Sequence, residues 1–584
     1  MNNSHYKNLF KAMADPAFYP HSAEEMQEIE THISKVFLVG EYVYKVKKPF
    51  NLGFLDFTTL EQRKHFCGQE ILLNRRLSCN VYIDVVPITF ANGKYALNGV
   101  GETVEYAVKM KRLSDKHVMQ TLLHENKLAD SDLDALARLL ASFYSKTSKC
   151  EQMDCIEVWE IVKKNCEENF SQTEAFTSEL LDNQETLENQ IVDGAVCQRQ
   201  AFTNKILDSR IFQITKSAVI SFIFRKQPLF DNRVKDGRIR DCHGDLRTDH
   251  IYFIISDKLP SNSDLSSNYS NNSSKNDDVL NHCVSDYKQI QIIDCIEFNE
   301  RFRLQDTASD LAFLAMDMDY QSFARKTSLL LNYYVKYSDD PGVFILLDFY
   351  KCYRAMVRCK VNCFRLNSDD LDAQTMDKII LTARKYLALA YSYALKFARP
   401  KIFVICGMQA SGKSTIAKEL ADFMGIKLLR SDVIRKELFK IDPDKSEVTQ
   451  FEQGIYSKNF TNLTYSKMFL HAQEIVEGGS SVILDATFAK RHLRDEAVTL
   501  AQDMKAQIIF IECYADESII KQRLIKRENT AYVSDARIIH FDQFKNRAEP
   551  IDELKESNHI KVDTANSVKD CIKEILSQTY YSTI

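Results

Sequence analysis

The sequence predicts two fold classes in succession: an α+β region over roughly the first 397 residues, then an α/β region with a doubly wound parallel sheet from residue 400 onward. Three observations carry this. The first hundred residues mix strand-like alternation with one helical segment, and the stretch after them turns helical by apolar spacing. Beyond Pro400 short apolar runs alternate with helical patterns, as in βα units. Where the first such run meets the first such helix stands a glycine-rich turn, Gly407-Met408-Gln409-Ala410-Ser411-Gly412-Lys413-Ser414-Thr415.

Taken in order, 1–112 reads as a small lobe, with strands in Val36–Val46 (folded back at Gly40), Val81–Ile88 and Val104–Lys109, and a helix near Leu60–Leu77. Residues 113–397 read as a larger, mostly helical lobe, as in Leu133–Tyr144, interrupted by short strands around a polar loop at 240–253. Within it the Ser/Asn-rich stretch 256–286 is too polar to bury a core and is expected to be a disordered loop. Residues 400–584 form the α/β domain, with strands at Ile402–Cys406, Lys427–Leu429, Ser481–Leu484 and Gln507–Cys513. The phosphate-binding turn and its companion residues all fall in this last stretch, which predicts a unit able to bind its ligand alone.

A chain of 584 residues exceeds what one core supports, so several domains are expected. Acidic and basic residues are nearly balanced, at 81 and 76, and intermixed. That counts against long nucleic acid and anionic membrane as partners. Fifteen cysteines lie scattered without CxxC pairs, which points to free thiols in a reducing compartment and away from a zinc module. The chain opens without a basic-then-apolar leader and has no apolar run near the ~18 residues that span a bilayer, so a cytoplasmic protein is expected. Nothing in the sequence sets the oligomeric state.

The spacing Gly407, four residues, Gly412-Lys413-Ser414 is the P-loop pattern. Glycines let successive backbone N–H groups face a nucleotide's phosphates, and the helix that follows adds its positive end. Lys413 then reaches the β/γ-phosphates, and the Ser414 hydroxyl joins a Mg²⁺ shell. Two carboxylates stand at the ends of later strands: Asp432 and Asp485. Either suits a γ-phosphate site, holding Mg²⁺ or taking a proton from an attacking hydroxyl. Asp432 also reads as an N-cap for a helix over Val433–Leu438. Arg523 and Arg527, four apart on one helix face, are candidates for a lid over the phosphates.

These residues, over about 400–565, resemble the small AAA-type P-loop kinases related to zeta toxins, gluconate kinases and the kinase module of polynucleotide kinases. The resemblance implies that Asp432 contacts the acceptor hydroxyl as base.

A second constellation lies upstream, in RDCHGDLRTDHIYF (240–253) and QIIDCIEFNERFRLQDTASDLAFLAMD (291–317). Phosphoryl transfer in a protein-kinase-like fold needs an acid near the acceptor, a metal-binding acid one hairpin later, and a small-lobe lysine. Asp245 and Asp294 fit the two acids once the Ser/Asn stretch is set aside, which brings IYFII and QIQIID together as paired strands. Lys45, on the second strand of the hairpin, is the lysine and Glu70 its partner. Lys47 competes with Lys45 because residues two apart on a strand share a face, and Glu61 competes less well with Glu70.

The order of THISKVFLVGEYVYKVKKP, GFLDFTTLEQRKHF, CHGDL, DCIEF, ASDLAFLAMD and the P-loop closely resembles bacterial fusions of an aminoglycoside phosphotransferase-like domain with a P-loop kinase. The resemblance implies an α+β protein-kinase-like fold in which Lys45 binds the α/β-phosphates, Asp245 is the base, Asp294 holds Mg²⁺ and Asp310 braces the catalytic loop. Five residues after the base that family carries a Mg²⁺-binding Asn, and here stands His250. The function expected is ATP- and Mg²⁺-dependent phosphoryl transfer to a small hydroxylated molecule, driven by the C-terminal module. The alternatives are a ligand-sensing N-terminal pseudokinase that regulates the P-loop module, and a kinase of nucleic-acid ends.

Overall fold

The computed structural model describes residues 3–148 apart from 24, 32, 52 and 54, then 154–177, 206–254, 290–367, 371–439, 457–528 and 538–582. The Ser/Asn-rich stretch 256–286 lies outside these described residues.

The N-terminal sheet has six antiparallel strands: β1 (Met26–Glu30), β2 (Ser34–Val39), β3 (Tyr42–Lys47), β4 (Tyr82–Ala91), β5 (Lys94–Leu97) and β6 (Glu102–Lys111). Their spatial order is β1-β2-β3-β6-β4-β5. The helix Leu60–Asn74 packs across it, begun by a reciprocal cap between Thr59 and Gln62. Its buried Arg63 donates to Glu105 of β6 at 2.8 Å, and Tyr6 of the helix Asn3–Met13 donates to the same carboxylate at 2.7 Å. Sharing one buried acid fixes the helix against the sheet, and with it the position of Glu70 about two turns farther on.

Two small antiparallel strand pairs sit between the helices of the larger lobe. β7 (Ile239–Asp241) pairs with β10 (Leu304–Asp306), and β8 (Ile251–Phe253) pairs with β9 (Ile290–Ile292). The second pairing unites IYFII and QIQIID, so Asp245 and Asp294 flank one hairpin. The helix Thr307–Tyr320 runs through the lobe's core with twelve of its residues buried. Val343–Arg365 packs along it, and Ala373–Ala398 packs along Val343–Arg365.

The last sheet is five-stranded and parallel: β11 (Lys401–Cys406), β12 (Lys427–Arg430), β13 (Val482–Asp485), β14 (Gln507–Tyr514) and β15 (His559–Asp563), in the order β12-β13-β11-β14-β15. Strand alternation splits its faces cleanly. Ile402, Val404, Leu484 and Phe510 share a core with the helices Lys458–Glu477 and Arg491–Asp503. Phe403, Ile405, Ile483 and Ile511 share one with Leu347, Ala355 and Ala390 of the preceding lobe. The module's own helices Lys413–Met424 and Val568–Tyr581 cover that face through Ile416, Leu420, Ile572 and Ile575, and the core continues through them into the preceding lobe. The C-terminal helix Val568–Tyr581 seals the junction: Tyr580 and Tyr581 pack on Phe344, Lys351 donates to the Tyr580 hydroxyl at 2.7 Å, and Tyr581 donates to the Ser328 carbonyl at 2.9 Å.

Candidate functional site

At the carboxyl end of β11 the chain turns through Gly407 to Gly412 and enters the helix Lys413–Met424. Gly407 (φ +126°) and Gly412 (φ +94°) adopt backbone that L side chains avoid, and a Cβ on Gly407 would lie 2.3 Å from the Cys513 carbonyl oxygen. Only glycine lets the turn pass this close to β14. The Ser411 hydroxyl and the Gln409 side-chain oxygen are buried in the turn with no hydrogen-bond partner among the described residues. Lys413 folds back onto the Met408 carbonyl. A curled backbone, an orphaned hydroxyl and a lysine that satisfies itself on the turn's own carbonyl fit a phosphate-binding cradle. Burial lowers the Lys413 ammonium below its ordinary value, against the pull of Asp485 and Asp432. Ser414 opens the helix one residue on, with Thr415 beside it on the exposed side.

Asp485 closes β13, next to β11, and is buried; Arg430, at the end of β12, approaches it at 3.4 Å. Asp432 lies in the first turn of the helix Ser431–Leu438, whose N-cap is Arg430. The N-cap expectation for Asp432 is thus corrected: the helix begins two residues earlier, at Ser431, and the Asp432 carboxylate, inside its first turn, meets Arg435 at 3.5 Å. Burial raises the Asp432 carboxyl, and Asp485 adds to this against the opposing Arg435. The turn, both acids and Lys413 thus meet at the carboxyl ends of three strands, where open α/β sheets bind ligands.

The lid expectation is corrected for Arg523. Its guanidinium donates to the Thr564 carbonyl at 2.6 Å and the Thr564 hydroxyl at 3.0 Å, and the Thr564 hydroxyl donates to the Ser411 carbonyl at 2.6 Å. Arg523 and Thr564 brace the turn, and Ile520 and Leu524 of the same helix, Glu517–Glu528, pack on Ala410 within it. Arg527 lies on that helix, but its side chain falls outside the described residues. Arg494, fully buried, donates to the Phe488 and Pro550 carbonyls at 2.9 Å each and pairs with Glu553, tying the loop after Asp485 to the segment 549–553.

The upstream constellation also comes together. Lys45 and Lys47 project from one face of β3, and both reach Glu70, Lys45 at 2.9 Å and Lys47 at 2.7 Å. Lys45 continues to Asp294 at 2.7 Å, whereas Lys47, fully buried, continues to Glu297. The partly buried Lys45 faces the site and the fully buried Lys47 backs it. Glu61 lies in the first turn of the helix, away from both. Asp294 holds a left-handed backbone (φ +64°), a strained conformation typical of functional turns. Burial opposes its ionisation, but the Lys45 ammonium holds its carboxyl well below the ordinary range.

The loop carrying Asp245 is fastened from below. Asp310 accepts the His243 and Gly244 backbone N–H groups at 2.9 and 2.8 Å, and Tyr144 donates to it at 2.8 Å. Burial pushes the His243 imidazole down to about 4. Asp245 pairs with Arg247 at 3.1 Å, and this guanidinium holds its carboxyl below the ordinary value although burial works the other way. Asp245, His250 and Asp294 each offer a ligand atom within 4.8 Å of the others, the one such group among the described residues. Sequence reasoning missed Arg247, Glu297 and Thr564. Arg247 and Glu297 stand inside the quoted motifs, whereas Thr564 carries no local signal.

Residues 402–551 match the family model described as an AAA domain. Over 498 residues, 85% of each chain, the protein is 27% identical to uncharacterized proteins of Mycobacterium tuberculosis and Mycobacterium bovis. Among solved structures it is similar to a sugar kinase from a Janibacter species (18% identical, 31% of this chain and 94% of that one, TM-score 0.24). A gluconokinase from Sinorhizobium meliloti gives 18% identity, 31% and 91% coverage and a TM-score of 0.23. An ethanolamine kinase from Plasmodium vivax gives 10% identity, 63% and 81% coverage and a TM-score of 0.33.

Proposed function

We propose that the protein is an ATP-dependent phosphotransferase acting on a small hydroxylated molecule, with the P-loop module as its engine. The observation that carries this is the convergence of the glycine cradle, Lys413, Asp432 and Asp485 at the carboxyl edge of one parallel sheet. ATP with Mg²⁺ would supply the transferable phosphoryl group and an electrophilic counter-charge. The backbone of Gly407–Ser411, the Ser411 hydroxyl and the Lys413 ammonium receive phosphate oxygens, Lys413 leaving the Met408 carbonyl to do so. Ser414 and Asp485 supply hard oxygen ligands for Mg²⁺. Asp432, made more basic by burial, takes the proton of the acceptor hydroxyl as its oxygen bonds to phosphorus and the bond to the departing diphosphate breaks. Arg523 and Thr564 hold the turn rigid meanwhile.

The N-terminal constellation supports a second reading, in which that lobe senses a ligand and regulates the P-loop module. Arg247 already occupies Asp245 and accompanies His250, which removes the free base a transferase needs. No helix among the described residues is long and apolar enough to cross a membrane. A kinase of nucleic-acid ends is disfavoured by the balanced charge. Incubating the full chain with Mg-ATP and a library of sugars, polyols, amino alcohols and short oligonucleotides tests the proposal. Phosphate must appear on a small hydroxylated compound; labelling of oligonucleotide ends alone would reject it.

A further inference from the structure

The Asp245, His250 and Asp294 group carries an inference independent of the P-loop reading. His250 ends the short turn Thr248–His250 that leads into β8. Arg247 donates to its Nε2 at 2.9 Å, so that nitrogen carries the lone pair and the proton sits on Nδ1, which donates to the Asp245 backbone carbonyl at 2.9 Å. This is the arrangement of a metal-binding histidine, whose second ring N–H is held by a carbonyl that fixes tautomer and ring orientation. The lone pair faces an Asp294 carboxylate oxygen at 3.6 Å and an Asp249 oxygen at 3.8 Å. That Asp249 oxygen is buried without a hydrogen-bond partner among the described residues.

Arg247 now stands where a cation would. Its guanidinium touches Asp245 at 3.1 Å, Asp249 at 3.0 Å and the His250 lone pair. Two or three carboxylates and one imidazole make a mixed oxygen and nitrogen donor set. Mg²⁺ favours oxygen and gives up water reluctantly, whereas first-row transition dications gain from imidazole.

We propose that Asp245, His250 and Asp294 bind a transition-metal dication of the Mn²⁺ to Zn²⁺ class in preference to Mg²⁺, with His250 Nε2 as a direct ligand and Arg247 displaced. Mn²⁺ titrated into the chelator-stripped full chain, without nucleotide and followed by electron paramagnetic resonance, tests this. The wild-type protein should bind Mn²⁺ at least about tenfold more tightly than Mg²⁺ in competition. Its bound ion should show ¹⁴N coupling from an imidazole. His250→Asn should lose the coupling and most of the preference while still binding, Asp294→Asn should lose the site, and Asp485→Asn should leave the ¹⁴N signal intact. Arg247→Ala should tighten binding. Bound Mn²⁺ without ¹⁴N coupling in the wild-type chain, a preference unchanged in His250→Asn, or no Mn²⁺ bound at all would overturn it.

Discussion

Severing the chain between Arg399 and Pro400 should leave the P-loop half unable to stand alone, although its motifs all lie within it. The core on one face of the five-stranded sheet continues through the helices Lys413–Met424 and Val568–Tyr581 to Leu347, Ala355 and Ala390, and the C-terminal helix lays Tyr580 and Tyr581 against Phe344. Separation strips those three rings of cover on one side, exposing on the order of 300 Å² of apolar surface. At ~25 cal/mol per Å² this costs about 7 kcal/mol, a large part of the 5–15 kcal/mol that keeps a typical domain folded. For a unit of this size such a loss lowers the melting temperature by about 15 °C or more. Gel filtration and thermal unfolding of residues 400–584, produced alone and together with residues 1–399, measure this. The lone piece should aggregate or melt far below the intact chain, and the two halves should co-purify. A monomeric fragment melting within about 5 °C of the full protein would refute the shared core.

Two further predictions follow from single groups. Gly407→Ala places a methyl group 2.3 Å from the Cys513 carbonyl and in strained backbone, so Mg-ATP binding measured by calorimetry should be lost; retained affinity would mean the turn is not the cradle. The hydrogen bond from Arg494 lowers the Glu553 carboxyl from 4.5 to about 2. A depressed carboxyl stabilises the fold above its unfolded value, and this is lost as pH falls from about 4.5 through about 2. Denaturant unfolding from pH 6 to 2.5 should show a shallower acid slope in Glu553→Gln than in the wild type, and equal slopes would contradict the pairing.

What the sequence made legible was contiguous. The P-loop is spelled out in nine consecutive residues, and Asp485 ends an apolar run that can only be a buried strand. The period of two along β3 put Lys45 and Lys47 on one face, and the structure shows both meeting Glu70. What escaped depends on distance along the chain. Arg523 has the spacing of a solvent-facing lid residue, and only the arrival of β15 beside its helix gives it Thr564 as a partner. The split between Lys45, facing the site, and Lys47, buried on Glu297, needs the second hairpin in place before it exists. The helix start was misplaced by two residues because Ser431 and Asp432 both suit an N-cap, whereas the helix follows directly on the strand end and takes Arg430 as its N-cap. The continuous core was invisible because the apolar face of a βα unit looks the same whether a neighbouring helix or a neighbouring domain covers it.

The central claim is that the P-loop module, and not the N-terminal lobe, turns over ATP. The most direct measurement is Mg-ATP hydrolysis or transfer by the full chain carrying Lys413→Ala or Asp245→Asn. Lys413→Ala removes the cation that satisfies itself on the Met408 carbonyl until phosphate arrives, and turnover should fall by about 10²-fold or more. Asp245→Asn alters an acid already paired with Arg247 and should change turnover far less. Loss of turnover in Asp245→Asn with near-normal turnover in Lys413→Ala would contradict the account and make the N-terminal lobe the working kinase.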